Sequence, residues 1–190
     1  MSEILVVAAM KEEIQGLLEK EGADVVYVGL GKVNAASVLA RELALRSKNS
    51  VRLVINFGTA GSTKFPTHSI VECTRFAQRD MDLSALGFAP GVTPFETEPA
   101  VLEVEKRLLD LPTGICGTGD RFETATPVVA CDVVDMEAYA LAKVAIREGV
   151  AFLSVKYITD GSDANAHNDW AANLPRAAEA FRQIYLRLKS

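Results

Sequence analysis

Acidic side chains stand beside the ends of several short apolar runs in this sequence. Glu13, Glu137 and Asp160 each follow such a run, and Thr59 adds a hydroxyl at the same kind of position. A set of carboxylates can supply both a general acid, which protonates a leaving group, and a base, which activates water. This pair of roles is typical of glycosidic bond cleavage.

Each of these residues also has a structural interpretation. Glu13 and Glu137 fall in the first turns of predicted helices, where the helix dipole favours an acid without any function. Asp160, in "ITDGSD", could cap a turn, and Thr59 could cap a backbone group. Only the joint arrangement of the four residues indicates a site.

Other common chemistries lack their motifs. "VGLGKVNAA" has Asn34 where a dinucleotide-binding loop has its third glycine, and no serine or threonine follows Lys32 as a phosphate-binding loop requires. There is no GxSxG sequence, and neither His68 nor His167 has the surroundings of a nucleophile's partner. We therefore expect an enzyme that uses carboxylates, with no metal and no organic cofactor.

The alternation of short apolar runs with runs of helical period predicts an α/β fold. We expect three α/β/α layers with a central, mostly parallel or mixed sheet. Predicted strands cover 3–9, 24–30, 51–58, 69–77, 113–119, 131–135 and 151–159. Predicted helices cover 10–22, 32–47, 99–109, 136–148 and 169–188.

Ligands of such sheets usually bind beyond the carboxyl ends of the strands, so we expect the carboxylates to meet there. Residues 78–98 break the alternation and are interpreted as an irregular excursion that shapes a pocket or contacts a partner subunit. The charges of Arg79, Asp80 and Asp82 in this excursion are interpreted as solvated surface.

Length and composition narrow the classes of protein further. The chain has 190 residues and a net charge of -5, which predicts one domain over 1–190 and disfavours nucleic acid or an anionic membrane as partner. No stretch has the roughly 20 apolar residues of a membrane span, and the first residues lack a signal peptide's basic region, so we expect a cytoplasmic protein. Its three cysteines are expected to be reduced core residues.

Several motifs, in order, carry a family resemblance: "AAMKEE", "GLGKVNAA", "INFGTAGS", "GTGDRF", "VVDMEAYALAKVA" and "ITDGSD". They resemble the nucleoside phosphorylase and nucleosidase superfamily, and within it the 5′-methylthioadenosine/S-adenosylhomocysteine nucleosidases. The resemblance implies a nucleoside phosphorylase-like fold and hydrolysis of the N-glycosidic bond of a purine nucleoside, with adenine as the expected base. It also implies a homodimer.

The resemblance assigns catalytic roles to two carboxylates. Asp160 would assist protonation of the purine at N7, and Glu13 would activate the water that attacks the anomeric carbon. The apolar strand before Asp160 would favour its protonated form by desolvation. An oxocarbenium-like transition state gathers positive charge on the ribose, which nearby carboxylates stabilise.

The resemblance also implies a set of substrate-binding residues. Glu137 would hold the ribose hydroxyls, Met136 would pack on the sugar and Phe122 would stack on the purine. The remaining members of the set lie near the sugar or the base: Met10, Thr59 and Glu123.

Three departures from the family bear on the substrate. The segment 123–135 is shorter than usual, which predicts a more open purine pocket or one completed by another chain. Glu123 stands where an aliphatic residue is common, and Lys156 stands where an arginine is usual.

Two alternatives remain. A phosphorylase of the same fold would use phosphate in place of water, but Glu13 after the first strand would repel it. A non-catalytic nucleoside-binding protein would have no evident need for both Glu13 and Asp160.

Overall fold

The chain folds into a mixed eight-stranded sheet with helices on both faces, in a computed structural model that describes residues 3–47, 50–108, 110–123, 127–161 and 166–189. The strands are β1 (Ile4–Ala8), β2 (Asp24–Tyr27), β3 (Leu53–Gly61), β4 (Ile70–Gln78), β5 (Val101–Glu103), β6 (Thr113–Thr118), β7 (Val133–Asp135) and β8 (Ala151–Asp160). The helices are α1 (Lys11–Ile14), α2 (Leu17–Lys20), α3 (Lys32–Leu45), α4 (Ala138–Arg147) and α5 (Ala166–Lys189).

Strand β1 shows how the sequence produces three layers. Successive side chains of a strand point to opposite faces of the sheet. Leu5 and Val7 therefore pack in the apolar layer that includes α3 and α4, whereas Val6 and Ala8 pack in the layer that includes α1, α2 and α5. All four side chains are fully buried. The predicted α/β/α fold with a mixed central sheet is confirmed.

Five strands of the sheet pair in a ring. Strand β3 pairs with β8 in parallel, β8 pairs with β4 antiparallel, and β4 and β6 continue in parallel to β7. Strand β7 then returns antiparallel to β3 through the pair of Gly61 and Val134. The chain that follows β7 is thereby directed back past the carboxyl half of β3.

The first predicted helix, 10–22, is wrong as a single element. It is interrupted after Ile14, because Gln15 and Gly16 both have left-handed backbone conformations, with φ of 52° and 70°. The predicted strand 51–58 is also corrected, since β3 begins at Leu53 and continues to Gly61.

The predicted helix over 99–109 is wrong across the described residues. Val101–Glu103 forms strand β5, which pairs antiparallel with β4. The buried carboxylate of Glu72 accepts the backbone N–H groups of Arg107 at 2.7 Å and Leu108 at 2.8 Å. These tertiary contacts override the local signal of Pro99.

Residues 79–100 form the expected irregular excursion, with one 3-10 turn at Ser84–Leu86. Ion pairs tie it to α4, including Arg147 with Glu98 at 2.6 Å. Leu86 and Phe95 are 71% and 99% exposed, so the excursion presents apolar side chains to the outside. Within the part of the chain that the structure describes, no helix is long and apolar enough to cross a membrane.

Candidate active site

One cavity lies where the ends of β1, β3, β7 and β8 meet, and every residue that the sequence singled out for the site lines it. Those residues are Met10, Glu13, Thr59, Phe122, Glu123, Met136, Glu137 and Asp160. The cavity is also lined by residues that sequence reasoning did not assign to the site, among them Leu30, Arg79, Arg121 and Trp170.

Glu13 is held by the backbone and the hydroxyl of one residue on β3. Its Oε1 accepts the N–H of Thr59 at 2.8 Å and the O–H of Thr59 at 2.7 Å. Its Oε2 accepts a longer hydrogen bond, 3.4 Å, from the N–H of Met10. Glu13 is only 4% exposed, so these contacts fix a buried carboxylate at the cavity wall.

Trp170 extends this network from helix α5. Its indole Nε1–H donates to Oγ1 of Thr59 at 2.9 Å. Sequence reasoning placed Trp170 only within the closing helix. The available signal was its position ten residues after Asp160, near the start of that helix.

Asp160 closes β8 at an irregularity in the sheet. Ala60 pairs with Ile158 but Gly61 pairs with Asp160, so Thr159 is an extra residue on β8. Such a bulge redirects the side chains that follow it. The Thr159 hydroxyl donates to Oδ2 of Asp160 at 2.8 Å, and Asp160 is 4% exposed.

Glu137 joins the cavity to the N-terminus of α3. Its Oε1 accepts the N–H of Gly31 at 2.9 Å, which satisfies one of the unpaired donors at that helix end. Burial, with the neighbouring charge of Asp135, raises the pKa of Glu137 to about 8. The glycine-rich "GLGKVN" thus supplies a backbone donor to this carboxylate.

Asp135, the last residue of strand β7, connects the sheet to helix α4. Its Oδ2 pairs with the buried Nζ of Lys156 at 2.8 Å and accepts the N–H of Ala138 at the start of α4. Burial opposes ionisation of Asp135, but Lys156 and the Thr118 hydroxyl outweigh it and hold its pKa below the usual range.

Gly58 makes room for Lys156 beneath the cavity. A Cβ at Gly58 would lie 2.9 Å from Nζ of Lys156. Gly58 therefore leaves space on this central strand for the ammonium group that reaches Asp135.

The other end of the cavity carries an aromatic ring and a buried ion pair. Phe122 is 49% exposed at the cavity wall. Glu123 is buried and accepts from Arg79 at 2.6 Å and from Arg121 at 3.0 Å. The interpretation of Arg79 as solvated surface is wrong, since its side chain is 1% exposed. The reason is that Gly119, where a Cβ would lie 2.9 Å from the guanidinium, leaves space for it.

The charges of the residues that line the cavity determine which chemistry it can support. Glu13, Glu137 and Asp160 are among the buried carboxyl groups that line the cavity. The guanidinium groups that line it, Arg79 and Arg121, are both bonded to Glu123. The site can therefore move protons and stabilise positive charge, and its buried guanidinium, Arg79, is already paired with Glu123.

Comparisons with a family model and with individual known proteins agree on one family. A model of the phosphorylase superfamily matches residues 6–190. A 5′-methylthioadenosine/S-adenosylhomocysteine nucleosidase of Haemophilus influenzae (strain PittEE) is 31% identical, over 88% of this chain and 81% of that protein. The corresponding nucleosidase of Glaesserella parasuis is 27% identical, over 92% of this chain and 83% of that protein.

Solved structures share the fold at lower identity. A Helicobacter pylori 5′-methylthioadenosine/S-adenosylhomocysteine nucleosidase in complex with an inhibitor superposes with a TM-score of 0.85 at 22% identity, covering 97% of this chain and 96% of that chain. A futalosine hydrolase of Helicobacter pylori gives a TM-score of 0.82 at 22% identity, covering 95% of this chain and 94% of that chain.

Proposed function

This chain belongs to the phosphorylase superfamily, and from that premise we propose that it is an N-glycosyl hydrolase of purine nucleosides. The observation that carries the proposal is the convergence of Glu13, Glu137 and Asp160 on one cavity beside Phe122. The proposed substrate is 5′-methylthioadenosine or S-adenosylhomocysteine, because the relatives from Haemophilus influenzae and Glaesserella parasuis act on these nucleosides by name.

Asp160 is the proposed acid. Its buried carboxyl gives its proton to N7 of the purine as the bond between N9 and the anomeric carbon breaks, and the bonding electron pair leaves with the base. Phe122 stacks on the purine, and Met136 and Glu137 contact the ribose. The positive charge that develops on the sugar is stabilised by the Glu13 carboxylate.

Glu13 is the proposed base. Thr59 supplies two donors to Oε1, which leaves Oε2 as the oxygen with only one long hydrogen bond among the described residues. Oε2 therefore accepts the proton of the attacking water, and the new bond joins the water oxygen to the anomeric carbon.

Water is favoured over phosphate by the charge of the cavity. A phosphorylase needs a cationic group that is available to phosphate. Here the buried cations Arg79 and Lys156 are paired with Glu123 and Asp135, and the Glu13 carboxylate would repel an anion.

We also propose that residues 1–190 act as one domain in a cytoplasmic homodimer. The family match spans 6–190, and the ring of strands joins the two halves of the chain. The three cysteines are free, as a reducing compartment would keep them. The exposed Leu86 and Phe95 of the excursion are the proposed subunit contact.

The test uses chromatography to measure the free base that purified protein releases from each nucleoside of a panel. The panel contains 5′-methylthioadenosine, S-adenosylhomocysteine, adenosine, AMP, inosine and futalosine. Adenine released from a thio-nucleoside is the expected result. Ligand-induced thermal stabilisation without release of base from any member would favour the non-catalytic binding protein.

A further inference from the structure

The start of helix α5 is attached to the two strand ends that carry the proposed chemistry. Trp170 donates its indole N–H to Oγ1 of Thr59 on β3 at 2.9 Å. Asn173, one turn later on the same face of the helix, donates to the backbone carbonyl of Thr159 on β8 at 2.9 Å. The helix is therefore coupled to the residue that binds Glu13 and to the residue beside Asp160.

The hydrogen bonds from Trp170 through Thr59 to Glu13 have one possible direction. An indole N–H only donates, and an ionised carboxylate only accepts. The Thr59 hydroxyl must then accept from Trp170 and give its single proton to Oε1 of Glu13, at 2.7 Å. Because Trp170 occupies one acceptor position of the hydroxyl, a proton that turned toward the indole would lose both bonds. Each hydrogen bond also polarises the next.

We propose that Trp170 is a positioning residue for the water-activating carboxylate, acting through the Thr59 hydroxyl. This inference rests on the proposed function. With Oε1 fixed by two donors from Thr59, the carboxylate plane of Glu13 is fixed, and Oε2 is presented to the attacking water. Loss of the indole N–H frees the hydroxyl to rotate and loosens that orientation, which slows the chemical step and leaves nucleoside binding nearly unchanged.

The experiment measures base release by Trp170→Phe in three backgrounds at position 59. Phenylalanine keeps an aromatic ring and removes the N–H. In the wild-type background, kcat should fall roughly 3- to 10-fold, the range for one hydrogen bond, with KM changed less than about 2-fold. The same fall should occur with Thr59→Ser, which keeps the hydroxyl. It should vanish with Thr59→Val, in which Trp170 has no hydroxyl to act through.

Tyr27→Phe is the matched control, because it also removes a donor from an aromatic ring that bonds a carboxylate, Glu19, away from the cavity. Its kcat should equal that of the wild type. A thermal melt of each variant confirms that it is folded.

The outcomes separate the inference from the function on which it rests. An unchanged kcat in Trp170→Phe, or an equal loss in the Thr59→Val background, would overturn the positioning role while the wild type still released base. Absence of base release by the wild type itself would overturn the proposed function and this inference together.

Discussion

At the scale of single residues, the central prediction concerns Asp160. Asp160→Asn keeps the shape of the side chain and its hydrogen bond with Thr159 but removes the transferable proton. Turnover should fall about 10²- to 10⁴-fold, the range for a general acid. Nucleoside binding should stay within a few-fold of the wild type, because the wall of the cavity is intact. Trp170, the only tryptophan, lines the cavity, so its fluorescence can report binding.

Asp82→Asn is the control for this variant. Asp82 caps the turn at Ser84 on the exposed excursion and does not line the cavity. Its turnover should match the wild type. An Asp160→Asn protein that kept more than a tenth of the wild-type kcat would remove Asp160 from the role of acid.

Glu137 leads to a prediction about pH. Its pKa is raised to about 8 by burial and by Asp135, above the value of about 4.5 that applies in the unfolded chain. Glu137 therefore binds a proton more tightly in the folded state than in the unfolded chain. The contribution of this proton to the free energy of unfolding is full below pH 4.5 and is lost as the pH rises through 8.

Glu137→Gln removes the ionisable group, and the loss of folding stability at high pH should disappear with it. Relative to the wild type, the variant should gain melting temperature between pH 5 and pH 9, by about 2–4 °C for each kcal/mol of relieved penalty. Thermal melts of both proteins at pH 5, 7 and 9 measure the difference. A difference that is constant with pH would show that Glu137 titrates normally.

At the scale of elements, Glu72 determines the path of the segment that the sequence predicted as a helix. Its carboxylate accepts two backbone N–H groups, those of Arg107 and Leu108. Glu72→Gln would place an amide donor against at least one of them and should destabilise the fold by about 1–3 kcal/mol. Thermal unfolding measures this change in stability. Glu105→Gln is the control, because the Glu105 side chain lies on the same segment and is 80% exposed. Equal melting temperatures would contradict this account of the segment.

The elements that the sequence predicted correctly are those with local causes. The apolar runs that became β1, β4 and β8 are largely buried, and α3 packs on the sheet through Ala35 and Leu39. What could not be predicted depends on distant partners. The break between α1 and α2 and strand β5 in place of a helix are examples.

The same distinction holds for the site. The motifs located Glu13, Glu137 and Asp160 at one cavity, but motif and spacing do not report which side chains bind them. Trp170 reaches Thr59 across 111 positions, and Arg79 reaches Glu123 across 44. Only the assembled sheet brings such pairs together, so both Trp170 and Arg79 were missed as site residues.

At the scale of the whole molecule, the ring of strands explains why one cavity collects all of these residues. The sequence analysis expected a shared carboxyl edge of parallel strands, which holds for β1, β3 and β8. Strand β7 instead runs antiparallel to β3 from the pair of Gly61 and Val134. Glu137 therefore enters the cavity from the opposite direction, across from Glu13 and Thr59.

The proposed homodimer gives a prediction at this scale. Leu86→Glu combined with Phe95→Glu places charge on the two apolar side chains of the excursion and should shift the light-scattering mass from dimer to monomer. Leu45→Glu, at a 70% exposed apolar position at the end of α3, is the control and should stay dimeric. A wild-type mass at the monomer value over a range of concentrations would contradict the dimer.

The measurement that tests the central claim most directly is the identity of the sugar product. Wild-type protein is incubated with 5′-methylthioadenosine, with and without phosphate, and the sugar is identified by mass spectrometry. Hydrolysis through Glu13 predicts free 5-methylthioribose at the same rate in both reactions. A sugar 1-phosphate formed only when phosphate is present would contradict the account and assign the cavity to a phosphorylase.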